Sequence, residues 1–304
     1  MPTIRQSFIA KLTRLYPLYS GCGTLANKSF IHKLAGISNE QVWSPTDSGE
    51  ILASLDEYIG RSVFYVGDLD RKITWIINQI VRPGDTVLDI GANIGLTTLL
   101  LSKLVGKNGK VHSFEPNPEL LKMLKKTLDH NQVSNVCLHE IALGSEESEL
   151  ELRIPRFKQN NQGCGSLVRY KNLNDCDTFK VPVRPLSTIV TEKGIKSIRL
   201  IKIDVEGFES EVLGGAEEVL RKILPEAILF ELNEKLEGSV RDQPIIKILH
   251  DCGYGFFSVP KCLFRMHLKR FDLDKSHELI GHDFLAVPKG ELYESIAKLV
   301  RASV

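Results

Sequence analysis

The sequence has no surplus of either charge and no apolar run long enough to cross a lipid bilayer. Its 304 residues include 39 basic and 38 acidic side chains, so no overall positive field favours a nucleic acid. A helix that crosses a bilayer needs about 18 or more apolar residues in a row, and no stretch here approaches that length. We therefore expect neither a nucleic-acid partner nor a transmembrane segment.

The six cysteines are scattered along the chain and form no familiar framework. No Cys-x-x-Cys pair occurs, and no histidine accompanies a cysteine at the spacing of structural zinc sites. We therefore expect no metal site and no metal requirement in the chemistry. A reducing cytoplasm is the compartment that this cysteine usage favours.

The glycine motifs that bind phosphates are also missing. The dinucleotide fingerprint G-x-G-x-x-G needs a middle glycine so that the backbone can approach a pyrophosphate. The segment 91–95 reads Gly-Ala-Asn-Ile-Gly, with Asn93 in that place, and no G-x-x-x-x-G-K-[ST] loop occurs elsewhere. The pattern predicts a nucleoside ligand without phosphates.

Acidic residues are absent from positions 1 to 39, which contain Arg5, Lys11, Arg14, Lys28 and Lys33. In the same stretch, apolar side chains recur at helical spacing, at Ile4, Phe8, Leu12, Leu15 and Tyr19. This pattern predicts a basic amphipathic helix. We expect the helix to dock on the main domain through its apolar stripe, and contact with a membrane surface is the alternative.

From residue 81 onward, short apolar runs alternate with helical segments. The predicted strands are TVLDI, KVHSFE, NVCLHE, IRLIKIDV, EAILFEL, GYGFFSV and DFLAV, and the predicted helices span 96–105, 119–130, 209–223 and 245–252. Strands that are apolar throughout, separated by helical crossovers, indicate a parallel sheet covered by helices on both faces. The last two strands lack a helix between them and fit an antiparallel hairpin.

This pattern predicts an α/β fold, a Rossmann-like doubly wound sheet of seven mainly parallel strands with an antiparallel last strand. We predict a mainly helical extension over residues 1–80, packed on a core domain over residues 81–304. An interruption at about 150–191 contains short strand-like pieces around a polar, glycine-bearing loop. It is either a wall of the substrate site or a plain surface hairpin.

Five of the predicted strands end in an acidic residue, at Asp89, Glu115, Glu140, Asp204 and Glu231. Ligands of doubly wound sheets bind outside these carboxyl ends. A carboxylate at the end of the second strand can accept hydrogen bonds from both ribose hydroxyls. S-adenosyl-L-methionine fits this arrangement: Gly91 and Gly95 allow close backbone approach, Asp89 faces the amino acid moiety and Glu115 holds the ribose.

Other residues complete the predicted cofactor site. The segment after the third strand, HEIALG, places Ile141 and Ala142 as an apolar wall against the adenine. We include Asn93 and Asn117, which stand in the two turns beside Gly91 and Glu115, among the cofactor-binding residues.

Several longer motifs resemble those of a known family. The segments DTVLDIGANIG, FEPNP, IALG, LIKIDVEGFESEVLGGA and FELNE, in this order, resemble the FkbM-type family of class I S-adenosylmethionine-dependent methyltransferases over about residues 80–290. The resemblance implies a seven-stranded sheet with a reversed last strand. It also implies O-methylation of hydroxyls on sugars or secondary metabolites, including macrolides.

Asp204 is the first candidate for the catalytic base, because the fourth strand of such a sheet ends beside the transferable methyl group. Glu231 is the second candidate, and His282 is the next residue to test. Glu206 is open to either a functional or a structural reading, whereas Glu209 fits a capping role at a helix N-terminus. The acceptor is expected to be a small molecule or a glycan.

Three other functions remain as alternatives. An N-methyltransferase on the same scaffold would share every cofactor motif, and a binding module would keep the cofactor fold without turnover. An NAD-linked oxidoreductase is disfavoured by the missing middle glycine. The basic segment 261–270 is interpreted as a solvated loop, with contact to a phosphorylated or lipid-linked glycan as the alternative.

Overall fold

The computed structural model describes residues 2–36, 39–155, 165–167, 174–232, 240–273 and 283–301. Its helices are α1 (Ile4–Thr13), α2 (Cys22–Ala26), α3 (Ser29–Ala35), α4 (Tyr58–Val66), α5 (Arg71–Ile80), α6 (Leu96–Val105), α7 (Pro118–His130), α8 (Leu186–Glu192), α9 (Glu209–Gly214), α10 (Glu217–Lys222), α11 (Pro244–Asp251) and α12 (Glu291–Arg301). Its strands are β1 (Gln41–Thr46), β2 (Gly49–Ser54), β3 (Thr86–Ile90), β4 (Lys110–Phe114), β5 (Val136–His139), β6 (Ala142–Leu143), β7 (Ser148–Pro155), β8 (Cys176–Arg184), β9 (Leu200–Ile203), β10 (Ile228–Glu231), β11 (Tyr254–Val259), β12 (Lys269–Phe271) and β13 (Asp283–Pro288).

The central sheet has the strand order β12-β11-β13-β10-β9-β3-β4-β5. The strands β5, β4, β3, β9 and β10 pair in parallel, whereas β13 runs antiparallel to both β10 and β11. The α/β class, the doubly wound order and the antiparallel last strand are therefore confirmed. The predicted hairpin between the last two long strands is also present, since β11 and β13 pair directly.

The predicted count of seven strands is wrong for the described residues, because the sheet contains an eighth. The additional strand, β12, pairs antiparallel with β11 at the edge of the sheet, Phe256 opposite Phe271. It is only three residues long and lies in the basic segment that the sequence pattern assigned to a solvated loop. So short a strand has no alternation that a periodicity argument can detect.

The sheet separates two hydrophobic cores, which explains why its strands are apolar throughout. Neighbouring residues on β3 point to opposite faces: Leu88 packs in the core beneath α8 to α11, and Val87 packs in the core beneath α5, α6 and α12. Both side chains are fully buried. A strand that is covered on both faces needs no polar side.

The segment 209–223 forms two short helices, α9 and α10, and not the single helix that its periodicity predicted. The break falls at Gly215, whose carbonyl oxygen accepts hydrogen bonds from the amide and hydroxyl groups of Ser187. A Cβ atom at Gly215 would lie 1.9 Å from the carbonyl oxygen of Gly144. Close packing against two other backbone segments therefore diverts the chain.

The predicted insertion contributes a small second sheet with the order β6-β8-β7. The strands β7 and β8 pair antiparallel from Ser148 opposite Val183 to Pro155 opposite Cys176. Most of the polar loop between them, including Cys164, lies outside the described residues.

The N-terminal extension contains five helices, α1 to α5, and also the hairpin β1–β2, which the sequence pattern did not predict. Strand β2 lies against α7 of the core domain. There the amide of Leu52 donates to the hydroxyl of Thr127 at 3.2 Å, and the amide of Glu50 donates to the side chain of Asn131 at 2.9 Å. The boundary at residue 80 stays a prediction.

The first helix does not dock through the predicted apolar stripe. Its buried side chains are Gln6, Ile9 and Ala10, whereas Ile4, Phe8, Leu12 and Leu15 are 91%, 61%, 54% and 76% exposed. The helix thus has apolar residues on two faces, and the face with fewer apolar residues packs against the protein. Within the described residues, no helix has the length and apolar character needed to cross a membrane.

Gly60 provides a test of the packing between α4 and the end of β2. A Cβ atom at Gly60 would lie 2.0 Å from the backbone oxygen of Ser54, so Gly60→Ala should destabilise the fold by about 1–3 kcal/mol, as overpacking does. Thermal unfolding measures the loss.

The matched control is Gly214→Ala, because the nearest atom to a Cβ there is 3.5 Å away. Its free energy of unfolding should stay within about 0.5 kcal/mol of the parent value. Equal stability of Gly60→Ala and the parent chain would contradict the described packing.

Candidate functional site

A cavity of about 1020 Å³ lies at the carboxyl edge of the central strands. One wall consists of the residues that follow or end β3, β4, β9 and β10, and the other consists of residues of the N-terminal extension, among them Tyr19, Tyr58 and Asp68. Ligand pockets in proteins measure about 300–1,000 Å³. The cavity therefore lies at the upper end of this range.

The glycine turn after β3 forms the floor of the cavity. Gly91 has a φ of 81°, and a Cβ atom there would lie 1.9 Å from the backbone oxygen of Asp204. Asn93 has a φ of 54°, a left-handed conformation that asparagine adopts more readily than most residues. Asparagine thus satisfies the backbone geometry where the dinucleotide motif has glycine.

A buried lysine, Lys202 on β9, holds this turn from below. Its ammonium group donates to the carbonyl oxygen of Gly91 at 3.0 Å and lies 3.3 Å from Asp204 Oδ2 and 3.6 Å from Asp89 Oδ1. Burial lowers the pKa of Lys202, but Asp204 and Asp89 outweigh this effect and raise the pKa overall. Lys202 was not among the predicted site residues, although a lysine inside an apolar strand is itself a signal of an internal ion pair.

Asp89 lies beneath the turn and does not line the cavity. Its side chain is fully buried, accepts a hydrogen bond from the hydroxyl of Thr98 at 2.6 Å and faces Lys202. Burial raises the pKa of Asp89, and Lys202 and Thr98 partly counteract this. The role of Asp89 towards the amino acid moiety of a cofactor stays a prediction. Its contacts support the turn.

Glu115, at the end of β4, binds the backbone of both neighbouring turns. One carboxylate oxygen accepts from the amide of Asn93 at 2.8 Å, and the other accepts from the amide of Asn117 at 2.9 Å. Each oxygen keeps a second lone pair for a ligand. Burial raises the pKa of Glu115 to about 7, although the two amides oppose the shift.

Asn117 caps helix α7 and offers a donor towards the cavity. Its side-chain oxygen accepts from the amide of Glu119 at 3.0 Å, while its buried Nδ2 has no hydrogen-bond partner among the described residues. A buried donor without a partner is unfavourable, so a ligand atom that accepts from it would be stabilised.

Most of the predicted site residues line the cavity, namely Gly91, Asn93, Glu115, Asn117, Ile141, Ala142, Asp204 and Glu231. Asp89 and Gly95 do not: Gly95 is the N-cap of α6, with a φ of 96°. Glu140 is exposed and pairs with Lys125 at 2.6 Å. His282 lies outside the described residues.

The second predicted motif forms the turn that follows β9. Glu206 lines the cavity and has a φ of 55°. The carboxylate of Glu209 accepts hydrogen bonds from the amides of Gly207 at 3.1 Å and Val205 at 3.3 Å. These contacts hold the turn before α9, and the capping role of Glu209 stays a prediction.

The extension adds a group of charged residues that the sequence argument did not identify. Lys72 on α5 is buried and lies 3.0 Å from Asp283 on β13 and 3.3 Å from Asp70. Burial raises the pKa of Asp70 to about 6, against the opposing effect of Lys72. The side chain of Asp68 accepts from the amide of Asp70 and from the hydroxyl of Thr74. All of these residues line the cavity.

One group of potential metal ligands lies outside the cavity, although the sequence spacing predicted no metal site. The ligand atoms of His112, Cys137 and His139, on β4 and β5, lie within 4.8 Å of one another. His112 and His139 are hydrogen-bonded to each other at 3.1 Å, and His139 stacks on Phe114. None of the three ligating residues lines the cavity. A metal ion held there would not touch a ligand in the site.

The lining residues match the parts of a nucleoside cofactor. The turn at Gly91 lines the cavity, Glu115 has free lone pairs for hydroxyl donors, and Ile141 and Ala142 supply apolar surface. Asn117 supplies the donor without a partner.

Comparison with known proteins gives one family. The family model described as Methyltransferase FkbM domain matches residues 89–256, more than half of the chain. Among curated proteins, the chain is similar to 31-O-demethyl-FK506 methyltransferase FkbM of Streptomyces tacrolimicus, with 30% identity over 162 residues that cover 45% of this chain and 62% of that protein. It is also similar to 2-O-methyltransferase NoeI of Sinorhizobium fredii (strain NBRC 101917 / NGR234), with 27% identity over 188 residues that cover 57% and 74% of the two chains.

Among solved structures, the chain is similar to Methyltransferase FkbM from Methylobacillus flagellatus KT, with a TM-score of 0.42 and 17% identity, covering 76% of this chain and 53% of that one. Methyltransferase 1 of Beauveria bassiana (strain ARSEF 2860) is 26% identical over 151 residues, which cover 45% of this chain and 60% of that protein. The chain thus spans about 60% of the length of two of its curated relatives.

Glu115 should make cofactor binding dependent on pH. Ribose hydroxyls donate to the ionised carboxylate, whereas below pH 7 the free protein carries a proton there that binding must displace. The affinity for S-adenosylhomocysteine should therefore be about tenfold higher at pH 8 than at pH 6. Calorimetric titration at both values measures the difference.

Glu115→Gln is the control, because it cannot ionise. It should bind S-adenosylhomocysteine more weakly and with little change between pH 6 and pH 8, and NAD should bind to neither protein. A pH dependence that survives in Glu115→Gln would show that another group is responsible.

Proposed function

The chain belongs to the FkbM methyltransferase family, and from this premise we propose that it transfers the methyl group of S-adenosyl-L-methionine to a hydroxyl oxygen of a small-molecule or glycan acceptor. The observation that carries the proposal is the shared cavity. Family motifs form one wall, and the opposite wall carries carboxylates that suit an acceptor rich in hydroxyls.

The cofactor is assigned to the wall formed by β3, β4 and the segment after β5. Glu115 would accept hydrogen bonds from the ribose hydroxyls, Asn117 would donate from its side-chain amide, and Ile141 and Ala142 would face the adenine. The backbone of the turn at Gly91 would contact the amino acid moiety. When bound, the cofactor supplies a methyl group attached to a positively charged sulfur.

Asp204 is the proposed base for the acceptor hydroxyl. Its side chain is 44% exposed and lies 3.3 Å from Lys202, which holds it at the edge of the cavity. An aliphatic hydroxyl is about as weak an acid as water, whose pKa is about 15.7. A carboxylate that takes the proton as the new bond forms contributes about 10²–10⁴-fold to the rate.

The acceptor is assigned to the wall that the extension provides. Lys72 and Asp283 form one polar contact there, and Glu231 pairs with Asp283 in the register of β10 and β13. Eight acidic and five basic residues line the cavity as a whole. This balance favours a neutral acceptor with several hydroxyl groups over a polyanion such as a nucleic acid.

Transfer to oxygen is favoured over transfer to nitrogen by the carboxylates at the cavity edge. A neutral amine attacks without first losing a proton, so it does not need the base that Asp204 offers. Two of the relatives carry O-methylation in their names, 31-O-demethyl-FK506 methyltransferase and 2-O-methyltransferase NoeI. N-methylation remains the second candidate and is one outcome of the test below.

We also propose that the reaction needs no metal. The carboxylates that would otherwise attract a cation are matched by lysines, Asp204 by Lys202 and Asp283 by Lys72. The proposed compartment is the cytoplasm, because the five described cysteines are free thiols, as a reducing compartment leaves them.

Incubation with isotopically labelled S-adenosyl-L-methionine and a panel of glycans and hydroxylated metabolites tests the activity. Mass spectrometry should detect the labelled methyl group on an oxygen, and EDTA should leave the rate unchanged. Label on nitrogen would replace the proposal with N-methylation. Cofactor binding without transfer to any acceptor would favour a binding module, and loss with EDTA that magnesium reverses would overturn metal independence.

The variant Asp204→Asn tests the assignment of the base. Turnover of a verified acceptor should fall at least about a hundredfold, because the amide cannot take the hydroxyl proton. Affinity for S-adenosylhomocysteine should change less than it does in Glu115→Ala, where we expect a loss of at least about tenfold.

Two further variants complete the comparison. Glu231→Gln should show a milder loss, mainly in acceptor binding, and the exposed Glu217→Gln on α10 should behave like the parent enzyme. Near-normal turnover of Asp204→Asn would move the role of the base to Asp70 or to His282.

A further inference from the structure

Most of the large hydrophobic side chains that the described residues expose lie in two short parts of the chain. Eight of the ten are Ile4, Phe8, Leu12, Leu15, Phe30, Leu34, Leu263 and Phe264. The other two are Leu224 and Trp43, and Trp43 stacks on His130. Isolated exposed hydrophobic residues are common, but a concentration of them marks an interaction site.

Helix α1 and the turn that follows it carry half of this set. Ile4, Phe8 and Leu12 follow one another at intervals of four residues, so they share one face of the helix, and Leu15 follows in the turn just after the helix ends. We call them the outer stripe. The buried residues Ile9 and Ala10 lie on the opposite face, against the core of the extension.

The outer stripe is held in place and cannot turn inward. Arg14, just after α1, donates hydrogen bonds to the carbonyl oxygens of Phe64 at 2.9 Å and Pro45 at 2.6 Å. At the other end, Thr3 and Gln6 form a reciprocal capping box. Arg14 therefore anchors the C-terminal end of the helix to the protein, the capping box stabilises its first turn, and the stripe faces away from the protein.

A second apolar element lies close to the end of the stripe. The segment 261–265, which we call the outer loop, exposes Leu263 and Phe264 by 57% and 74%. Its backbone pairs with the segment after α1: the amide of Tyr19 donates to the oxygen of Leu263 at 2.9 Å. The Cα atoms of Leu15 and Tyr19 are at most about 14 Å apart along the chain, so the stripe and the loop are neighbours.

The residues around these elements are basic. Arg5 and Lys11 flank the outer stripe and are exposed, and Lys261 and Arg265 bracket the exposed pair of the outer loop. Residues 1–39 contain no acid. Apolar side chains with flanking cations are the combination that binds at the surface of an anionic bilayer, with the apolar groups below the headgroups and the cations among them.

We propose that the outer stripe and the outer loop bind the surface of a membrane that contains anionic phospholipid. The cations select this partner over a neutral bilayer, and the rows of large side chains supply the apolar area that insertion needs. The sequence pattern left membrane contact open as the alternative for α1. The exposure of the stripe and the adjacent outer loop now favour it.

The proposed membrane face borders the cavity. Tyr19 lines the cavity, and its backbone amide holds the outer loop. An acceptor carried by a membrane lipid would therefore enter beside the bound face. This last step rests on the proposed function, whereas membrane binding itself does not.

Co-sedimentation with lipid vesicles tests the proposal on the full chain. Vesicles of phosphatidylcholine with phosphatidylglycerol should bind the protein, those of phosphatidylcholine alone should bind it much less, and added salt should weaken binding. The double variant Phe8→Ser, Phe264→Ser should bind at least about tenfold more weakly. Leu224→Ser is the matched control, since it removes an exposed leucine elsewhere, and it should bind like the parent chain.

A second variant separates charge from apolar insertion. Lys11→Gln, Lys261→Gln should lose roughly fivefold in affinity for each cation removed. All variants should keep the thermal stabilisation by S-adenosylhomocysteine, which reports an intact cofactor site regardless of turnover. If the double serine variant fails to fold, the lysine variant decides the question.

Three outcomes would overturn the proposal. The first is no binding to anionic vesicles, and the second is equal binding by the parent chain and the folded variants. The third is self-association that the serine variant abolishes while vesicles remain unbound. The last outcome would identify the face as an interface between two copies of the chain. Failure of methyl transfer in a separate assay with soluble acceptors would leave the membrane result unaffected.

Discussion

The site depends on one buried ammonium group, that of Lys202. Its partner Asp89 lies directly opposite in the parallel register of β3 and β9, and its other contacts are Asp204 and the carbonyl oxygen of Gly91. A buried charge that loses its partner costs several kcal/mol. Lys202 therefore fixes three features together: the register of the two central strands, the position of the glycine turn and the direction of Asp204.

The extension completes the cavity that the sheet begins. The sheet supplies a turn and a carboxylate suited to a nucleoside, and these residues fall within one contiguous stretch of the chain. The extension supplies Asp68, Asp70 and Lys72, which contact one another and meet the sheet at Asp283. The two walls differ in origin: the family model covers the turns that follow β3, β4 and β9, whereas Asp68, Asp70, Lys72 and Asp283 lie outside its matched range of 89–256.

Much of the fold could be predicted from the sequence because apolar runs between helical segments identify buried strands. The sequence pattern did not predict the hairpin β1–β2. Strand β1 contains Pro45, and residues on its exposed face interrupt the alternation of apolar and polar side chains. The contact of Asp89 with Lys202 was not predicted, because an acid at a strand end looks the same in sequence whether it faces a ligand or a buried lysine. The periodicity of α1 correctly located an apolar face but not what covers it, since only the neighbouring helices decide which of two apolar faces is buried.

The ion pair between Lys72 and Asp283 joins residues that are 211 positions apart. Closing the chain between such distant positions costs conformational entropy, which must be overcome before the contact contributes. Strand β13 inserts between β10 and β11, and only then does Asp283 reach the extension. The contact between Lys72 and Asp283 in the cavity wall therefore exists only when β13 is paired in the sheet, whereas the contacts of Glu115 lie within residues 93–117.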